Sequence, residues 1–231
     1  MDNYSIYIVN KTENKETFWC FLSKPETLEV GSTIYANSSA RMTLKGNAGD
    51  TAFFRIPVQY KLAATSQNRP TGLGVKVYTS QNRNVDLQQQ WRATFYTDSE
   101  HQAPDLDKTG DGAKPNEITY SNNAFNPNDA KLNEWFPSKT FGLETVSGFI
   151  GMTWEALPNK TETISPNIEF YISTGSYHPN ELADYTQVQT DAAKLTKDSF
   201  SGFAATVTLL ENGTWQVTPG KPSLHTEAHA Y

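Results

Sequence analysis

One cysteine, Cys20, stands in 231 residues, so the chain has no internal disulfide framework. Charged residues make up only 19%, and Lys and Arg never form a run. That removes the electrostatic footprint of a nucleic-acid binder and the polybasic patch of a membrane-surface protein. No apolar run approaches the roughly 18 residues of a membrane span. The start, MDNYSIYIVN, alternates like a strand and carries Asp2, where a secretory signal has positive charge and a longer apolar block. The expectation is a cytoplasmic protein, in which the sequons at Asn10, Asn37, Asn159 and Asn212 carry no meaning. Histidines number four, none beside a visible nucleophile, which argues against the usual hydrolytic triads. There is no G-x-S-x-G and no P-loop, and GLG at 72–74 supplies only two glycines of a dinucleotide fingerprint.

What is present is aromatic and neutral-polar. Aromatic residues make up 12%, with five tryptophans, and the polar remainder is rich in Asn, Thr, Ser and Gln. A chain of this length buries roughly 70% of its unfolded surface, so a core forms without staples. The net charge of −6 serves mainly solubility.

Period-2 alternation dominates the pattern. SIYIVN (5–10) and TFWCFL (17–22) predict an opening hairpin across the polar KTENKE loop. Strands are predicted within 33–44, 51–65, 73–80 and 91–97, with QNRN (81–84) as a turn. Pro57 implies a sheet edge or a bulge. Strands resume at 148–157, 167–175 and 205–219, the last folded at Asn212-Gly213, the strongest short hairpin signal. Leu182, Tyr185, Val188 and Leu195 predict a modest helix within 180–197. Between these regions, 98–140 is rich in Asp, Asn, Pro and Gly and reads as one long functional loop. The fold expected is all-β: a single-domain antiparallel β-sandwich, jelly-roll-like, with a 98–140 loop excursion and a C-terminal tail at 220–231.

Candidate chemistry is sparse. In an extended tail His225, Glu227 and His229 share one face about 6.6 Å apart, the residue types one metal ion needs. Termini, however, are poorly ordered unless tied down, and a tail offers no second shell to orient imidazoles, which favours a plain polar tail. Asp105, Asp107, Thr109 and Asp111 alternate before and after Gly110, like the first half of a calcium loop. Asn116 then stands where the bidentate Glu belongs, which favours a solvated acidic loop. Glu155 and Glu169 fall in predicted strands, as the two carboxylates of a sandwich glycosidase would. Both also read as ordinary outward-facing sheet residues. Trp135 and Phe136 lie outside clear alternation and are the aromatic pair most suited to stacking on a ligand. Cys20 reads as a buried hydrophobe; exposed, it would lock chains together.

Two stretches, IYIVNKTENKETFWCFLSKPE (6–26) and ISPNIEFYISTGSYHPNELADY (164–185), carry a resemblance. The first is a strand, a polar turn, an aromatic strand and a proline; the second leads a proline-preceded strand into Y-x-x-T-G-S-Y-x-P. Together they resemble a little-characterised bacterial and fungal all-β family that includes the crystal-forming protein of fungal gravity-sensing vacuoles. Asn180 departs from the glycine that pattern has after its proline. The resemblance implies assembly into higher-order particles and transfers no catalytic residue.

The functional expectation is therefore a non-enzymatic β-sandwich protein that self-associates, in a structural or storage role. Its first rival is a lectin-like carbohydrate-binding module, with calcium as the ion its acidic loop would take. A glycoside hydrolase built on Glu155 and Glu169 is the third. The partners expected are further copies of the chain or a glycan, with no nucleic acid and no membrane span. No other cofactor is expected.

Overall fold

A computed structural model describes residues 3–222 apart from 48, 50, 79 and 99. In chain order the strands begin with β1 (Asn3–Asn10), β2 (Glu16–Leu22), β3 (Ile34–Ser38), β4 (Arg41–Leu44), β5 (Thr51–Pro57) and β6 (Tyr60–Gln67). Next come β7 (Gln81–Val85), β8 (Gln90–Thr94), β9 (Asp105–Gly110) and β10 (Ile118–Asn122), then the short helix α1 (Pro127–Leu132). The long pair β11 (Phe136–Thr145) and β12 (Gly148–Glu155) leads to β13 (Thr161–Ile164), β14 (Phe170–Ser173) and β15 (Glu181–Asp184). Helix α2 (Tyr185–Gln189), β16 (Ala193–Leu195), β17 (Ala204–Leu209) and β18 (Trp215–Pro219) follow within the described residues.

The chain is an all-β sandwich, as the alternation predicts. Its strands form four sheets, ordered β18-β17-β1-β5, β13-β10-β8-β9, β15-β3-β12-β11-β6-β7 and β16-β14-β2-β4. Pairing is antiparallel except between β1 and β17 and between β8 and β10, which run parallel. One apolar cluster draws on all four sheets, with Ile6 and Ile8, Phe18, Phe141 and Met152, and Ile118 among its members. Burying each such side chain contributes about 1.5–3 kcal/mol.

Local details follow from side-chain chemistry. In β11 and β12, Gly142 faces Gly151, and the Phe149 ring lies over both. A Cβ on Gly142 would meet Phe149 Cζ at 2.5 Å, so the ring fills the space that two side chains would need. Pro57 ends β5, an edge strand, where its missing N–H breaks no ladder. Asn212-Gly213 turns β17 into β18, with Gly213 at φ +78° and Asn212 Oδ1 accepting from Thr214 N–H.

Four local expectations are corrected. Residues 98–140 are not a loop excursion: β9, β10, α1 and the start of β11 lie within them. Their Asn, Asp and Pro residues punctuate short elements, as where Asn126 caps α1 and Pro127 opens it. β1 and β2 form no hairpin, because they belong to different sheets. Asn10 shapes the arch between them, accepting from Thr12 N–H and donating to Asn14 O. The polar QNRN is strand β7, exposed on its outer edge and hence without apolar alternation. Of the helix expected within 180–197, only α2 forms, flanked by β15 and β16.

Candidate functional site

The connection from β6 to β7 is the unusual segment. Both strands lie at one edge of the six-stranded sheet, yet residues between them pair with β15 at the opposite edge. Gly74 N–H donates to Leu182 O at 2.9 Å, Leu182 N–H to Val75 O at 3.0 Å, and Val77 N–H to Asn180 O at 3.2 Å. Residues 68–78 therefore form a strap across the outer face of the sheet. Pro70 and Gly72 suit the turn that starts it, and Gly74 takes φ +69°, a conformation open chiefly to glycine. Because the strap supplies a ladder to β15, it also covers that edge against unwanted pairing.

Beneath the strap the sheet face is polar. Thr140 and Thr153 share a hydrogen bond of 2.8 Å, and Thr153 Oγ1 donates to Asn37 Oδ1 at 3.1 Å. A small cavity of about 150 Å³ lies here, lined by Asn37, Thr140 and Val77 among others. Beside it opens a larger cavity of about 640 Å³ between strap and sheet. Thr65 and Gln67 line it from β6, Arg69, Lys76 and Tyr78 from the strap, and Gln102 and Glu181 from flanking segments.

Gln67 is the informative residue. Alternation along β6 sends Leu62 and Ala64 to the core, and Lys61, Ala63, Thr65 and Gln67 to the strap side. Gln67 is 9% exposed, and neither its Nε2 nor its Oε1 has a hydrogen-bond partner among the described residues. A buried amide left unpaired costs about 1–3 kcal/mol per group. Gln102 is oriented instead: its Nε2 donates to Ser66 O at 3.1 Å and to Asn68 Oδ1 at 3.2 Å. The cavity thus presents one amide with no partner among the described residues, a fixed amide, two cations, a carboxylate and Tyr78, which is 70% exposed.

The residues expected from sequence lie elsewhere. Asp105, Asp107 and Thr109 stand on the extended strand β9, with Asp111 just beyond it, so they do not wrap one ion as a calcium loop would. Asp105 accepts from Tyr96 Oη at 2.5 Å, a bond that holds the phenol above its ordinary pKa, and Asp111 pairs with Lys108. Among the described residues no group of three His, Cys, Asp or Glu side chains gathers as a metal site. His225, Glu227 and His229 lie outside the described residues. Trp135 and Phe136 are half-buried, and Phe136 pairs with Gln67 along the ladder, next to the cavity without lining it. Glu155 ends β12 exposed, whereas Glu169 precedes β14 in another sheet and pairs with Lys194 at 2.9 Å. Cys20 is 1% exposed, and burial pushes its thiol far above the ordinary range. That overturns any role for it in bonding chains together.

A second buried group escaped the sequence reading. Lys139 on β11 and Glu162 on β13 are fully buried, and Lys139 Nζ donates to Glu162 Oε2 at 2.5 Å and to Tyr120 O at 3.1 Å. The ammonium also sits 4.4 Å from the Tyr120 ring centroid. Desolvation brings the Lys139 pKa down to about 8, against the opposing pull of Glu162. Burial likewise pushes the Tyr120 phenol well above its usual pKa. The pair joins two sheets and lines neither cavity under the strap.

A family model described as RhiA matches residues 1–220. The chain belongs to the RhiA family. The match covers every strand of the sandwich, the strap included. No curated protein and no solved structure gives a significant match. Among the described residues of this RhiA-family chain, no helix is long and apolar enough to cross a membrane.

Proposed function

We propose that this RhiA-family chain is a non-enzymatic binding module, lectin-like in mode, that holds a small polar ligand under the strap. The observation that carries the reading is the Gln67 amide, buried on the cavity wall with both polar atoms unpaired among the described residues. A primary amide donates and accepts side by side, which suits neighbouring hydroxyl groups. A cavity of about 640 Å³ falls in the range that encloses small molecules. Binding is independent of calcium, because the 105–111 acids lie along a strand. The test is a glycan panel read by calorimetry, with and without chelator, on wild type and Gln67→Leu. Ligand binding that the substitution weakens at least tenfold supports the reading. No binding in either condition, or binding indifferent to Gln67→Leu, overturns it.

Self-association is the second reading, and one surface favours it. On the outer face of the β18-β17-β1-β5 sheet, register sets Thr218, Thr206, Tyr7 and Phe53 in one row. The Tyr7 and Phe53 rings lie 5.1 Å apart, and Phe53 is 46% exposed. Strand positions on this face carry a single charge, Arg55. Little repulsion opposes a second copy there, and the resemblance carried by 6–26 and 164–185 points the same way. With Cys20 buried, such assembly is noncovalent. Molar mass by light scattering over a range of concentrations tests it; a mass that rises in wild type and stays monomeric in Phe53→Asp supports it. A monomer at every concentration removes it.

A further inference from the structure

We infer that the ligand under the strap is an acidic saccharide, a sugar bearing a carboxylate, and that the strap reads its charge. This rests on the cavity reading above and adds the chemistry of the ligand. Three charged side chains line the cavity: Arg69 and Lys76 on the strap and Glu181 at the start of β15. Lys61, Lys108, Lys114, Lys139 and Lys194 each have a carboxylate within ion-pair distance, but these three have no ion-pair partner among the described residues. Lys76 and Glu181 even face each other across a backbone bridge, which puts their side chains on one side. They still do not close into a pair, so both charges remain available to something between them.

The local balance is one positive charge in excess, on a chain whose net charge is −6. That difference selects an anion against the overall field. Glu181 selects among anions: it only accepts hydrogen bonds, so it repels a compact dianion but welcomes hydroxyl donors a few ångströms from the ligand's charge. The planar Arg69 guanidinium matches a carboxylate with two parallel hydrogen bonds. Gln67 pairs with hydroxyls, and the exposed Tyr78 ring offers a flat apolar face to the C–H side of a sugar. A carboxylate at one end, hydroxyls beyond it and a flat ring are together the features of a uronic-acid-type sugar.

The experiment is calorimetric titration of the full chain with two matched pairs, glucuronate against glucose and galacturonate against galactose, with inorganic phosphate as a third probe. At least one uronate is expected to bind about tenfold or more tightly than its neutral partner at low salt. Added salt is expected to shrink that preference. The Arg69→Gln, Lys76→Gln double variant is expected to abolish the preference, bringing each uronate to the affinity of its neutral partner, and Gln67→Leu to weaken both members of a pair. Equal affinity within both pairs overturns the acidic class and leaves the cavity reading standing. Phosphate competing as well as a uronate overturns the saccharide. No binding by any probe, or binding indifferent to Gln67→Leu, overturns the inference and the cavity reading together.

Discussion

Replacing Glu162 by Gln leaves the Lys139 ammonium in a dry site with only the Tyr120 carbonyl and ring. Two routes are open to the variant, and the cheaper sets the cost. Keeping the charge buried without its partner costs about 3–5 kcal/mol in comparable sites. Releasing the proton at pH 7 from a lysine of ordinary pKa near 10.4 costs roughly 4–5 kcal/mol. The expected loss at pH 7 is therefore about 3–5 kcal/mol, or about 6–20 °C in melting temperature for a chain of this size. The sign of the pH dependence follows. Once native Lys139 is neutral, the unfolded state binds one proton more, so the stability of Glu162→Gln rises with pH towards the unfolded pKa. Wild type, with its folded Lys139 pKa near 8, gains in the same direction only above that value. Lys139→Met with Glu162→Leu removes the charges altogether; it is expected to match wild type or exceed it by up to about 4 kcal/mol, without that slope. Urea melts at pH 7, 8 and 9 on the three proteins decide the matter. A Glu162→Gln loss below about 1 kcal/mol with a flat pH response would refute the claim that this pair is dry and that its worth lies in mutual neutralisation.

Other outcomes follow from the same structure. Gln67→Leu should unfold at the same urea concentration as wild type or a higher one, since it removes an unpaired buried amide worth about 1–3 kcal/mol per group; a clear loss of stability would mean the amide is satisfied. Gly74→Ala forces a side chain into φ +69°, a strain of about 1–2 kcal/mol. Hydrogen exchange should quicken at Val77 and Leu182, which donate in the strap ladder, while the core strands stay protected. Cys20→Ala should leave molar mass unchanged with or without reductant; a reductant-sensitive mass in wild type would contradict the burial of Cys20. Phe149→Ala uncovers Gly142 and Gly151 on the central strands; because the ring is only half-buried, it should cost about 0.5–3 kcal/mol in chemical denaturation.

Local rules by themselves determined the all-β class and the Asn212-Gly213 hairpin, from period 2 and a turn that needs positive φ, and narrowed Pro57, with its missing donor, to a sheet edge or a bulge. Alternation could not place strands that face water on both sides, so QNRN read as a turn, nor short strands whose outer residues are Asp and Lys, so 98–140 read as a loop. Only the tertiary structure decided that β1 pairs with β17 from the far end of the chain and that the strap meets β15 across the whole sheet. The candidate site was equally hidden. Gln67, Arg69, Lys76 and Glu181 follow no motif, and what sets them apart is that folding brings them no partner among the described residues. The Lys139–Glu162 pair is the plainest case: two ordinary surface residue types, 23 positions apart, become buried because their strands belong to facing sheets. Periodicity records which side of a strand a residue takes, but burial depends on what the rest of the chain brings against that side.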